Sequence, residues 1–155
     1  MGTIGLCPER AATVPPSTDP RYWHELPNAP SVGTVLGRRD ALPDGQATLS
    51  TVEAAPSTPT TPPFRVLLLR SGPEVKAYVN RCAHFGVPLA AKQEQLLFQP
   101  HVSITCNVHY ARYRWTDGVC DHGECVGEAL LAIPVRVDAQ GQICIAPASP
   151  DASAP

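Results

Sequence analysis

The chain has 155 residues, a net charge of −2 at neutral pH and 17% charged residues. That length fits one domain able to bury a core without disulfides. The near-neutral balance excludes the broad basic footprint of a nucleic-acid or anionic-membrane binder. No run approaches the roughly 18 apolar residues of a bilayer span, and the opening "MGTIGLCPER" lacks the apolar stretch of a secretory leader. A soluble cytoplasmic protein is therefore expected, in which cysteines serve as metal ligands or buried apolar residues rather than disulfide partners.

In chain order, proline marks the boundaries. Eleven of the 18 prolines precede residue 64 and three follow residue 146, which leaves four between. Residues 1–31 read as an irregular Pro-rich extension, with Tyr22 and Trp23 as its anchors. Residues 32–148 read as the folded domain, and 149–155 as a disordered tail. "ATLSTV" and "FRVLLLR" form a hairpin around the mobile Ser/Thr/Pro loop at 53–63. The second of these is apolar throughout, as for a strand covered on both faces. "VKAYVN" (75–80) alternates Val75, Ala77 and Val79 against Lys76, Tyr78 and Asn80. "QLLF" and "VSIT" flank Pro100 and His101 as another hairpin. "LLAIPVRV" reads as one strand with Leu131, Ile133, Val135 and Val137 on one face, and Pro134 makes it an edge or bulged strand. "AQG" then turns into "QICIA". No amphipathic helix is found, so the fold class is all-β and antiparallel.

The chemistry lies in "CAHFGVPL" (82–89) and "CNVHY" (106–110). Each pairs a cysteine with a histidine, as C-x-H and C-x-x-H. Thiolate and neutral imidazole are both good ligands, and four of them can close a tetrahedral zinc site. A C-x-H knuckle is uncommon in structural zinc sites, however, and Gly86 lets the backbone approach closely after the first pair.

These residues resemble the Rieske family, whose motif is C-x-H, a gap, then C-x-x-H. The gap here is 21 residues, slightly long. "AYVNRCAHFGVPL" is similar to the strand entering the first ligand loop, "ITCNVHYARYRWTDGVC" to the second loop and its following strand, and "GECVGEALLAIPVRV" to the return into the base domain. The resemblance implies the Rieske fold, an antiparallel base sandwich or barrel with a small cluster-binding lobe at about 81–118. It implies one [2Fe–2S] cluster per chain, with Cys82 and Cys106 on the inner iron and His84 and His109 on the outer iron. Gly86, Tyr110 and Tyr113 would stand around it. Replacing two thiolates by neutral imidazoles raises the potential, to roughly −150 to +300 mV against about −400 mV for all-cysteine plant-type clusters.

High-potential family members place a disulfide at the positions of Val87 and Val108, and a serine at that of Ala111. Both features are absent here, so the resemblance points to the soluble, ferredoxin-like branch. The tyrosine that bonds a ligand sulfur in those members matches Tyr113. Two positions depart from the usual second loop: Asn107 stands for a proline and Tyr110 for a glycine. A positive φ at 110 would strain a tyrosine.

The expected function is one-electron transfer by a non-catalytic carrier between a reductase and an oxygenase, with neither nucleic acid nor membrane as partner. The 49 residues after Cys106 are too few for an oxygenase's own catalytic domain. The alternatives are a small Rieske subunit of a larger oxidoreductase, or a zinc-bound or cluster-free interaction module. Arg81, Arg112 and Arg114 beside the ligand loops, with Asp117, Asp121, Glu124 and Glu128 after them, read as a solvated surface of mixed sign or as a docking rim. Cys120 and Cys125 in "GVCDHGEC" read as reduced and structural, with a bridge as the lesser alternative. Cys144 reads as a buried apolar residue, and Cys7 as without a role.

Overall fold

The computed structural model describes residues 22–26, 28–52, 63–83, 87–108 and 110–147. The extension before Tyr22, the 53–62 loop, the 149–155 tail, His84, Gly86 and His109 lie outside these.

Among the described residues eleven strands follow one another: β1 (Val35–Arg38), β2 (Ala47–Val52), β3 (Phe64–Ser71), β4 (Glu74–Val79), β5 (Leu97–Gln99), β6 (Ser103–Thr105), β7 (Arg112–Arg114), β8 (Cys120–His122), β9 (Ala132–Ile133), β10 (Val135–Val137) and β11 (Gln142–Ile145). The described helical residues are confined to three-residue 3-10 turns. All pairings between strands are antiparallel. Three sheets result, in the orders β9-β4-β3-β2, β10-β11-β1 and β5-β6-β7-β8. The all-β antiparallel class expected from the sequence is the class observed.

β3 is the spine. Its even-numbered residues Val66 and Leu68 enter one core, with Trp23, Leu36, Ala77, Val79, Ile133, Ile143 and Ile145. Its odd-numbered residues Leu67 and Leu69 enter a second core, with Tyr78, Cys82, Leu89, Ile104, Cys106, Tyr113 and Trp115. Alternation of side chains along a strand makes this division automatic. Each buried leucine here adds about 1.5–3 kcal/mol.

Two expectations are corrected. Tyr78, placed on the polar face of β4, is buried in the second core, because the β5–β8 sheet covers that face. "LLAIPVRV" is two strands in two sheets: Ile133 pairs with Ala77, whereas Val135 pairs with Ile145. Pro134 sits at the crossing, where its lack of an N–H costs no ladder bond.

The β5–β8 sheet is fastened to the base at the β5–β6 turn. The Trp115 indole N–H donates to Ser71 Oγ at 2.8 Å, and Ser71 Oγ lies 2.8 Å from His101 Nδ1. His101 has φ of 64°, in the left-handed region. Its ring lies over Gly45, where an added Cβ would come within 2.9 Å of Nε2.

Candidate metal centre

The first cysteine loop leaves β4 at Asn80. This side chain is buried and ties both limbs of the loop. Its Oδ1 accepts the Leu89 N–H at 2.8 Å, and its Nδ2 donates to the Ala90 carbonyl at 3.0 Å. Between these anchors the Cys82 N–H donates to the Val87 carbonyl at 2.6 Å. The second loop begins at Cys106, directly after β6. Its N–H donates to the Ala111 carbonyl at 2.8 Å, and the Tyr110 N–H returns to the Cys106 carbonyl at 2.9 Å.

Closing that turn requires φ of 61° at Tyr110. Left-handed backbone costs a residue with a Cβ about 1–2 kcal/mol. Asn107 supplies the bond that joins the loops, from its N–H to the Leu89 carbonyl at 2.8 Å. A proline here would have no proton to give.

Cys82 and Cys106 are 0% exposed and lie in the same core. Val87 packs against that core, whereas Val108 is 55% exposed. Beneath Cys82 lies Tyr113, centred on β7 and fully buried. Its hydroxyl oxygen accepts the Ala83 N–H at 2.9 Å and lies 3.2 Å from Cys82 Sγ. Cys125 Sγ approaches the same oxygen at 3.3 Å. Burial is the main cause that raises the Tyr113 pKa, and the contacts with Cys125 and Cys82 add to it. The hydroxyl therefore keeps its proton, and a thiolate at Cys82 is the natural acceptor for it. Two buried sulfurs on tied loops, one facing a hydroxyl donor, suit a group that needs thiolate ligands.

Two charge pairs form beside the loops. Arg112 Nε meets Asp121 Oδ1 at 2.8 Å, and Arg114 Nε meets Asp117 Oδ1 at 3.0 Å. The Arg114 hydrogen bond holds Asp117 below the usual carboxylate range. The exposed apolar side chains near this end include Tyr110 at 63% and Val126 at 62%.

The sequence reading missed Asn80, taken as part of a polar strand face. It also missed that Cys125 reaches Tyr113. Only the long-range pairings that fold "GVCDHGEC" behind the first loop reveal that contact.

A profile of the Rieske [2Fe-2S] domain family matches residues 34–139. No curated protein matches the chain significantly. Among solved structures, the ferredoxin of carbazole 1,9a-dioxygenase from Nocardioides aromaticivorans IC177 is similar at 24% identity and a TM-score of 0.55, over 76% of this chain and 100% of that one. The terminal oxygenase of carbazole 1,9a-dioxygenase from Novosphingobium sp. KA1 is similar at 23% identity and a TM-score of 0.57, over 76% of this chain and 30% of that one. A complex of a carbazole-bound oxygenase with the ferredoxin of carbazole 1,9a-dioxygenase contains a chain similar at 24% identity and a TM-score of 0.54, over 72% of this chain and 27% of that one. This chain thus spans less than a third of the length of the two longer matches. At these identities the likenesses establish the fold. The family match spans most of the chain: the protein belongs to the Rieske [2Fe–2S] domain family, and its cofactor is a [2Fe–2S] cluster.

Proposed function

We propose that the protein is a one-electron carrier, a Rieske ferredoxin that takes electrons from a reductase and passes them to an oxygenase. Cys82 and Cys106 are assigned to the inner iron, and His84 and His109 to the outer iron. The observation that carries this reading is the pair of buried cysteines on two loops joined by Asn107 N–H and Leu89 C=O, with Tyr113 O–H at Cys82 Sγ. The likeness to a dioxygenase ferredoxin, which spans the whole of that chain and 76% of this one, supports the carrier role. The bound cluster supplies the redox change. The chain would hold it on the buried Cys82 and Cys106, places the Tyr113 hydroxyl at Cys82 Sγ and presents Val108 and Tyr110 at the surface.

Among the described residues no helix is long and apolar enough to cross a membrane. No disulfide joins any of the five described cysteines, which suits the reducing cytoplasm. Cytoplasmic placement is part of the proposal.

The test is anaerobic purification with assays for iron and acid-labile sulfide, followed by transfer from the reduced protein to a terminal oxygenase of the carbazole dioxygenase type. Two irons, two sulfides and single-turnover oxygenase reduction are expected. Zinc in place of iron, or a reduced cluster that no oxygenase oxidises, would overturn it. A second reading builds the same domain into a larger oxidoreductase, and the similarity to a terminal oxygenase favours it. Tight co-purification with a large subunit would establish that one instead.

A further inference from the structure

Cys120 and Cys125 play no part in the assigned ligand set, yet they share a core with Cys82 and Cys106. Cys120 opens β8 and is 1% exposed, as is Cys125. Their sulfurs are 2.7 Å apart. The backbone between them is already closed: Cys120 N–H donates to the Glu128 carbonyl at 2.7 Å, Glu128 N–H to the Cys125 carbonyl at 2.8 Å, and Gly127 N–H to the Cys120 carbonyl at 3.1 Å. The two thiols are thus held face to face by a folded turn, so linking them orders little further chain. From Cys125 the contacts run to Tyr113 Oη at 3.3 Å, and from there to Cys82 Sγ at 3.2 Å.

We propose that Cys120 and Cys125 are a second redox site, a dithiol that closes to a disulfide and thereby weakens the hydrogen bond that Tyr113 gives to Cys82. This rests on the assignment of Cys82 as a cluster ligand. The proton inventory gives the direction. Tyr113 Oη already accepts from Ala83, and the single Cys125 S–H has two acceptors in reach, Cys120 Sγ at 2.7 Å and this oxygen at 3.3 Å; whenever it turns to the oxygen it polarises the phenol O–H toward Cys82. A disulfide has no S–H to give. Tyr113 then donates less strongly, the electron-rich sulfur of the reduced cluster is less well stabilised, and the midpoint falls. The bridge differs in place from the high-potential one, whose positions Val87 and Val108 occupy.

The oxidant is a low-molecular-weight disulfide such as glutathione disulfide. The thiolate of one cysteine attacks one of its sulfurs. The oxidant's S–S bond breaks, and one glutathione leaves and takes up a proton. The second cysteine loses its proton, attacks the protein-side sulfur of the mixed disulfide and expels the second glutathione. Two protein thiols lose two electrons, and the oxidant becomes two thiols. Access comes through the 123–127 turn, where Gly123 and Gly127 hold φ of 111° and 95° and Val126 is exposed. Burial, with the Cys120 contact second, pushes the Cys125 thiol up to about 12. Exchange is therefore slow, since little thiolate is present and both sulfurs are buried.

The experiment uses cluster-loaded protein incubated anaerobically with glutathione disulfide or with reduced glutathione. Iron and EPR intensity are recorded first. Denaturing alkylation with peptide mapping then locates any bridge, and a redox titration gives the midpoint of each form. A Cys120–Cys125 linked peptide is expected at unchanged iron content. The reduction equilibrium should be a few-fold to about tenfold less favourable, the worth of part or all of one hydrogen bond. No shift is expected in Cys120→Ser or Cys120→Ala treated alike. Two alkylatable thiols at 120 and 125 after treatment would overturn the site. A bridge with an unchanged midpoint would overturn its coupling to the cluster. Protein that folds without iron would instead remove the ligand assignment and the coupling with it, while the peptide map still decides the bridge.

Discussion

The two cores that share β3 are built differently. The base core is hydrocarbon: Val66, Leu68, Val79, Ile133, Ile143 and Ile145 pack without a sulfur or hydroxyl among them. The lobe core holds Cys82, Cys106, Cys120, Cys125, Tyr113 and Trp115 beside its aliphatic residues. The base is held by long ladders, six paired residues between β2 and β3 and six between β3 and β4. Lobe strands are mostly three residues long, and single bonds from Asn80, Asn107 and Tyr113 set the loops. Buried area makes the base stable. The lobe spends stability on a defined polar arrangement, since each of these bonds is modest when made and costly when broken.

That contrast can be broken at either end. Leu68→Ala in the base should cost about 2–5 kcal/mol by leaving a cavity. Protein that still folds should keep its cluster spectrum, as thermal melts followed by circular dichroism and by cluster absorbance would show. Asn80→Ala should cost somewhat less, about 2–4 kcal/mol, because it strands the Leu89 N–H and the Ala90 carbonyl in a buried place. Here the cluster should be lost well before the base unfolds, so the two melts should separate. Coincident melts for Asn80→Ala would show that the lobe has no independent stability.

Tyr113→Phe removes one hydroxyl and leaves the Ala83 N–H without that acceptor. A fall in midpoint of about 40 mV is expected, if the lost bond favours the reduced cluster by about 1 kcal/mol. A redox titration checks it, and an unchanged midpoint would mean that the hydroxyl serves packing alone. Smallest is Tyr110→Gly. Release of the left-handed strain offsets the greater chain entropy of glycine, so stability should rise by up to about 1 kcal/mol. A denaturant titration measures this. A loss of stability would mean that the Tyr110 ring, though 63% exposed, covers something that the lobe needs.

What the sequence disclosed follows from how local each signal is. The "FRVLLLR" run announced a doubly covered strand, and the hairpins around 53–63 and Pro100–His101 followed from turn chemistry. β1, "VLGR", was overlooked because only Leu36 of its four residues is buried. Tyr78 was misplaced because its burial depends on a sheet that starts 19 residues later. The cysteine-histidine spacing showed the kind of centre, but not the reason for Asn107. That reason is the Leu89 carbonyl, which lies near only once the two loops have met. Tyr110 stands where the motif usually has glycine, which points to a positive φ, and φ of 61° is what the turn adopts.

Mixed cysteine and histidine ligation of one [2Fe–2S] cluster is visible to pulsed EPR on the reduced protein labelled with ¹⁵N only in histidine. Strong couplings to two histidine nitrogens are predicted, with one of them lost in His84→Cys or His109→Cys protein that retains its iron. A reduced cluster without histidine nitrogen coupling would contradict the ligand assignment.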